Sequence, residues 1–281
     1  MADLTDDNRW HPPEASEEAK NNKIALLDSI NNSLSETRRA LDLNYSTSSQ
    51  GGFVLGKSDF GVLDRIPPID SALVWNGKSY SGSVSLDFEV IDVNQKALDE
   101  GSVDDILATL RRWGDKYEFY KEQGEKGKEM DESLARQGQQ LSKSMRRSIE
   151  EVDIKKIFVA SILENGKKKV LGLTTVKTDT TLAIDEEDPD FVVITRESGK
   201  AYIDTTIAYP ESQVYRDKRP KGQIGSVGRA VRDFAIRKLR ESGRFSAIYD
   251  FSANNKTSTA LKKYGFKPLS ANQENSEASC I

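Results

Sequence analysis

Gln223-Ile224-Gly225-Ser226-Val227-Gly228-Arg229 joins two segments of different periodicity. Upstream, Ala201-Tyr202-Ile203-Asp204-Thr205-Thr206-Ile207-Ala208-Tyr209 is rich in β-branched and aromatic residues and is stopped by Pro210, which predicts a strand. Downstream, Val227, Val231, Phe234, Ala235 and Leu239 form one apolar face and Gly243 ends the run, which predicts a helix over 228–241. A strand, a glycine-bearing turn and a helix N-terminus together make an anion site. The first-turn amides have no acceptors inside the helix, the helix dipole adds partial positive charge, and glycine lets the backbone approach an oxygen closely. Gly225 and Gly228 are placed for this, and Arg219, Lys221 and Arg229 add mobile positive charge. The turn is not a phosphate-binding Walker loop, because no Gly-Lys-Ser/Thr follows. Nor is it the Gly-x-Gly-x-x-Gly of a dinucleotide fold, because the first glycine is missing. Taken alone, it reads equally as an ordinary helix start.

Working back from the turn, the acidic loop Asp185–Asp190 precedes a short strand at Phe191–Ile194. Ile157–Leu163 and Val170–Val176 flank Asn165-Gly166, a hairpin signal with an explicit turn. Two helices come before it. Ser102 is the expected N-cap of the first, whose buried face is Ile106, Leu110 and Trp113 and which the 124–127 glycines break. The second carries Leu134, Leu141, Met145, Ile149 and Val152 on one stripe. Earlier still, Val84, Leu86, Phe88 and Val90 alternate along one strand over 83–93, and Ser71–Asn76 is a strand with a turn at Asn76-Gly77. Forward of the turn come a strand at Phe245–Phe251, a short helix over 255–264 ended by Gly265, and a last strand at Phe266–Leu269. The order predicts an α/β fold, a central mixed sheet flanked by helices.

Residues 1–70 read as a polar, partly disordered extension, residues 71–270 as the folded domain and 271–281 as a polar tail. Ile24, Leu27, Ile30 and Leu34 recur at helical spacing in the extension, either a short helix or a docking or targeting arm. Gly51–Asp70, with Gly51-Gly52 and Pro67-Pro68, reads as a linker or covering loop.

Composition narrows the chemistry. Of 281 residues, 36% are hydrophobic and 31% charged, with 41 basic and 45 acidic side chains and a formal net charge of −4. That balance argues against general nucleic-acid binding. One cysteine, Cys280, and one histidine, His11, sit near opposite ends, so an internal disulfide, a Cys/His zinc site and a Ser–His or Cys–His pair within one core are excluded. Chemistry falls to carboxylates, hydroxyls, lysines, backbone amides or a bound cofactor. No apolar run reaches membrane-span length and the start lacks a signal peptide. The expected location is the cytoplasm, or a host cell reached by a signal-peptide-independent route.

The surroundings of the turn resemble the GNAT superfamily of acyl-CoA-dependent N-acyltransferases. Their signature is Gln/Arg-x-x-Gly-x-Gly/Ala. This chain reads Gln223-Ile224-Gly225-Ser226-Val227-Gly228, with Ser226 where the first signature glycine sits. Ile207-Ala208-Tyr209-Pro210-Glu211 is similar to the strand end that leads into the loop in that family, and Asn254 followed by Gly265-Phe266 is similar to a second family feature. The element order from Ser83 to Leu269 also fits, so the resemblance covers roughly two-thirds of the chain.

The resemblance implies an N-acetyltransferase that uses acetyl-CoA, with a substrate amine attacking the thioester directly. It implies cofactor contacts from Ile207, Ala208 and Tyr209, from the turn residues Gln223 through Arg229, and from Asn254 and Asn255. A backbone amide near Ala208 or Tyr209 would polarise the acyl carbonyl. Asp204 is the first candidate base, with Glu211 and Asp250 next. Leu261 stands where the family often has an acidic tyrosine, and Tyr264, one turn on, either substitutes or packs. The acceptor is an amine-bearing protein or small molecule. The acidic loop Asp185–Asp190 either attracts a cationic amine or is a solvated loop. A non-catalytic CoA-binding or partner-binding module, or a secreted effector, is the alternative.

Overall fold

The computed structural model describes residues 51–127, 130–185, 192–214, 226–252 and 255–269, with the side chains of 123–127, 255 and 256 outside that description. The helical pattern at 24–34, the acidic stretch 186–190, Gln223, Ile224, Gly225 and Asn254 therefore lie outside the described residues. Within them, the chain runs β1 (Gly51–Gly56), a 3-10 segment (Lys57–Arg65), β2 (Ser71–Trp75), β3 (Tyr80–Ser85), β4 (Asp87–Asp92), α1 (Gln95–Asp99), α2 (Asp104–Gly127), α3 (Glu132–Glu150), β5 (Lys156–Glu164), β6 (Lys167–Ile184), β7 (Val192–Ala208), α4 (Glu211–Val214), α5 (Val227–Glu241), β8 (Ala247–Ser252), α6 (Asn255–Lys263) and β9 (Lys267–Pro268). No described helix is long and apolar enough to cross a membrane.

Seven strands form one sheet in the order β4-β5-β6-β7-β8-β1-β9, and β2 and β3 form a separate two-stranded hairpin. All neighbours in the large sheet are antiparallel except β7 and β8. The fold is thus α/β with a mixed, mostly antiparallel sheet and flanking helices, as the order of elements predicts. β7 and β8 are parallel because α5 carries the chain back between them. The hairpin of β5 and β6 turns at Asn165 (φ 54°) and Gly166 (φ 73°), the left-handed pair that an Asn-Gly turn supplies. The core is continuous. Phe158, Ile157, Leu171, Leu173 and Ile203 of the sheet are buried, as are Ile106 and Leu110 of α2, Met145 and Ile149 of α3, and Val231, Ala235 and Leu239 of α5. Phe234 of α5 stacks on Phe88 of β4 with ring centroids 4.8 Å apart.

Several expectations are corrected. Gly51–Gly56 is not linker. It is an inner strand, with Phe53 opposite Asp250 and Leu55 opposite Ile248, and both hydrophobics are buried. The triplet Phe53-Val54-Leu55 is too short to show a period and finds its identity only in pairing with β8. Gly52 permits the arrangement, since a Cβ there would sit 2.3 Å from Leu269 Cδ1. The single strand expected over 83–93 is divided at Leu86, so β3 joins the hairpin while β4 joins the sheet. The helix break expected at 124–127 falls at its far edge, since α2 runs through Gly124 and ends at Gly127. Ser102 is not the cap, since α2 starts at Asp104, and a short α1 capped by the Asn94 side chain precedes it. The two strands expected at 191–194 and 201–209 are, over Val192–Ala208, one long strand, β7.

Candidate functional site

The parallel strands β7 and β8 stay paired only from Lys200↔Ala247 to Ile203↔Asp250. Beyond that point β7 follows β6 and leaves β8. The departure coincides with a bulge: Thr205 pairs with Thr175 and Ile203 with Val176, so Asp204 is the extra residue. An extra residue bends its strand and raises local twist, which opens a gap between two parallel partners. At the far end, the Tyr209 amide donates to Leu171 O at 2.8 Å. Ladder groups alternate sides along an antiparallel pair, so the Ala208 N–H points away from β6, into the side that β8 has vacated.

The N-terminus of α5 closes on this strand end. Ser226 is extended (φ −74°, ψ 144°) and its hydroxyl oxygen accepts from the Arg229 amide at 3.2 Å, so it caps the helix. Its own proton remains available to a ligand, and the Val227 and Gly228 amides have no intrahelical acceptor. Gly228 lies over β7, where an added Cβ would come 3.7 Å from Thr206 and 3.9 Å from Ala208. Gly172 lets the first turn of α5 settle on β6, since a Cβ there would meet Val227 at 2.7 Å. Ile207, Ala208 and Tyr209 of the expected cofactor set, and Ser226, Val227, Gly228 and Arg229, are thus brought to one place. Asn255 opens α6, with its side chain outside the description.

α2 meets the same strand end. Tyr117 donates its hydroxyl to Ala208 O at 3.1 Å, and its ring lies so close to α3 that a Cβ on Gly138 would meet it at 2.4 Å. Burial raises the Tyr117 hydroxyl well above an ordinary phenol. The Trp75 amide donates to the Tyr209 hydroxyl at 2.8 Å, tying β2 to the same point. Next to Tyr209 opens a cleft of about 1250 Å³, walled by β4, by α1 and α2 and by the β5–β6 turn, with Lys116, Lys169 and Glu211 among its lining. A smaller cavity of about 320 Å³, lined also by Trp75, Tyr120 and the exposed turn residues Asn76 and Gly77, adjoins it.

The three carboxylates expected as candidate bases have different surroundings. Asp204 is engaged within the sheet, 3.6 Å from Lys177 Nζ and accepting from the Thr205 hydroxyl at 3.1 Å. Lys177 also pairs with Asp153. Burial works against the charge of Lys177, but hydrogen bonding and the charges of Asp153 and Asp204 raise its pKa overall. Glu211 opens α4, pairs with Lys116 of α2 and lines both cavities. Asp250 is fully buried, 3.2 Å from Arg232 Nη2, with no hydrogen-bond partner on either oxygen among the described residues. Burial pushes its pKa up to about 6, and the charge of Arg232 only partly offsets that. Tyr264 is buried beside α5, and burial first, then the charge of Asp233, pushes its hydroxyl up to about 12. Leu261 is buried too.

Sequence reading missed Tyr117, Trp75, Lys116 and Arg232. Nothing in a helical stripe marks a tyrosine that reaches a strand end, but the Lys167-Lys168-Lys169 run beside the Asn165-Gly166 turn was a visible sign of charge at this edge.

No family model matches the chain, and no curated protein matches it. Two solved structures are similar to it. One is a functionally unknown conserved protein from Staphylococcus epidermidis ATCC 12228, at 8% identity and a TM-score of 0.35, covering 78% of this chain and 57% of that one. The other is a tandem GNAT protein from the clavulanic acid biosynthesis pathway, without AcCoA, at 11% identity and a TM-score of 0.34, covering 80% of this chain and 52% of that one. The chain spans a little over half the length of each.

Proposed function

We propose that this protein is an acyl-CoA-dependent N-acyltransferase, with acetyl-CoA as donor and an amine as acceptor. The observation that carries the reading is the parting of β7 from β8 beside the N-terminus of α5. A gap between parallel strands offers an unpaired strand edge to an amide-bearing chain such as pantetheine. The helix start at its end offers amides and a dipole to the pyrophosphate. Ser226, Val227, Gly228 and Arg229 form that cradle, with Gly228 seated in van der Waals reach of Thr206 and Ala208 of the strand end.

The donor supplies an acyl carbon activated as a thioester. The Ala208 N–H, turned into the gap, is placed to donate to the acyl oxygen. The acceptor amine forms the C–N bond as the C–S bond breaks, its surplus proton passes to a carboxylate, and the thiolate leaves. Among the three carboxylates Glu211 suits this role best. It faces the cleft, whereas Asp204 is held by Lys177 and Asp250 is sealed against Arg232.

Isothermal titration with acetyl-CoA tests the reading. Binding is expected, and Gly228→Glu, which sets a carboxylate where the pyrophosphate would lie, is expected to abolish it. Absence of binding at about millimolar donor, roughly the weakest affinity a specific site would have, counts against the proposal. A second reading, a CoA-binding module without catalysis, is favoured by one observation: Leu261 of α6 and Tyr264 just beyond it are both buried, so neither presents a free acid to the gap. Donor binding without transfer to any amine would select it.

A further inference from the structure

The cleft lining beside Tyr209 has a charge composition that bears on the acceptor. Lys116, Lys169, Tyr209 and Glu211 line both the cleft and the smaller chamber adjoining it, so they form the passage between the two. The chamber itself holds two ammonium groups and one carboxylate, with Trp75, Tyr120 and Tyr209 as aromatic walls. Glu211 answers Lys116. Among the described residues Lys169 pairs with Glu164, and both partners of that pair are well exposed at the outer turn. The two ammonium groups feel each other, since Lys116 is lowered first by burial and then by the charge of Lys169.

A simple amine entering as its cation would add a third positive charge beside these half-exposed groups, at a cost set by like-charge repulsion. An amine that carries its own carboxylate does not. Its carboxylate relieves the repulsion between Lys116 and Lys169, and its ammonium replaces Lys116 as the partner of Glu211. The shared passage also sets the geometry, with the carboxylate and the reacting nitrogen only a few bonds apart.

We infer that the acceptor is an amino-acid-like zwitterion, whose carboxylate is held between Lys169 and Lys116 and whose amine is presented to Glu211. The inference rests on the acyl-transfer reading above and names its acceptor class. The chamber takes an apolar or aromatic side chain, and the larger cleft leaves room for whatever else the molecule carries.

The test compares amino acids with their decarboxylated amines, pair by pair, by thiol release from acetyl-CoA. The amino acid of each pair is expected to show kcat/KM about tenfold higher, close to what one charge-assisted contact contributes. Lys169→Met is expected to erase the preference through KM with little change in kcat, and Lys169→Arg to restore it. The exposed pair with Glu164 contributes little to folding, so both variants should fold. Calorimetric titration of the CoA-loaded protein with the same pairs reads the preference independently of turnover. Equal use or equal binding of the decarboxylated amines would overturn the inference, and so would a preference unchanged in Lys169→Met. Failure of acetyl-CoA to bind would overturn the acyl-transfer reading first, and that outcome is separable in the same calorimeter.

Discussion

Two buried carboxylates meet α5, and they are held in opposite ways. Asp233 accepts from the Ile69 amide at 3.1 Å and from Arg237 Nε at 3.0 Å on one oxygen. Arg237 then reaches on to Leu63 O at 3.1 Å and Ile66 O at 2.7 Å, so a single side-chain pair fastens the segment after β1 to the helix. Asp250 is equally buried, but among the described residues its carboxylate meets Arg232 without a directed hydrogen bond. The first is tied by two directed bonds on Oδ2, although its Oδ1 is buried without a hydrogen-bond partner among the described residues. The second is a charge kept beside the place where β7 and β8 separate. Burial alone therefore does not say what a carboxylate is for, and its bonding does.

The sharpest way to break this contrast is Asp233→Ala. It strands Arg237 and the Ile69 amide and is expected to cost about 3–5 kcal/mol in urea unfolding, with protection of the 57–69 amides against hydrogen exchange lost first. If Ile69 exchange were unchanged, Asp233 would not be the fastener described. Asp250→Asn should act through pH instead. The folded pKa of Asp250 lies near 6, above the ordinary value of 3.8, so its contribution is fully present below about pH 4 and is lost as pH rises through 6. The wild type should lose about 2–3 kcal/mol over that range from this group, since each pH step between the two pKa values costs about 1.4 kcal/mol, and the asparagine variant should show a flatter stability profile. Equal profiles would mean that Asp250 is ionised at no cost.

Tyr117→Phe should cost about 1 kcal/mol, because it removes one buried donor and leaves the Ala208 carbonyl without it. If Tyr117 also holds the strand end in position for the acyl group, kcat should fall more than stability implies, and an unchanged kcat would restrict it to packing. Arg147→Ala, which opens the exposed pair with Glu151 on α3, should leave the urea unfolding midpoint essentially unchanged. A clear fall there would undo the distinction between buried network and surface pair.

What was legible in the sequence follows the range of the forces. The Asn165-Gly166 turn, the stripe of α3 through Met145 and Ile149, and the apolar face of α5 are local patterns, and all were readable. The strand that ends at Tyr209 and the helix that starts by Gly228 were also readable as a pair, which brings Ala208 and Gly228 together from pattern alone. β1 was not, because Phe53-Val54-Leu55 becomes a strand only when β8 lies beside it. Nor was the division at Leu86, where an unbroken alternation serves two sheets. Gly124 shows the reverse case, a residue that should weaken a helix locally but lies within α2. At the site, residue types were visible but their pairing was not: Asp204, Glu211 and Asp250 look alike in sequence, and only Lys177, Lys116 and Arg232 tell them apart.

The position of β1 has a consequence for how the molecule is made. Among the described strands, the first in the chain pairs with β8 and β9, the last two. On the ribosome, Phe53 and Leu55 emerge before β8 and lack that partner strand until it has followed. Closing the sheet is thus a late, long-range event, slow by its topology. A chain stalled before β8 would expose two open edges at once, that of β1 and that of β7, each a template for pairing with a neighbouring molecule.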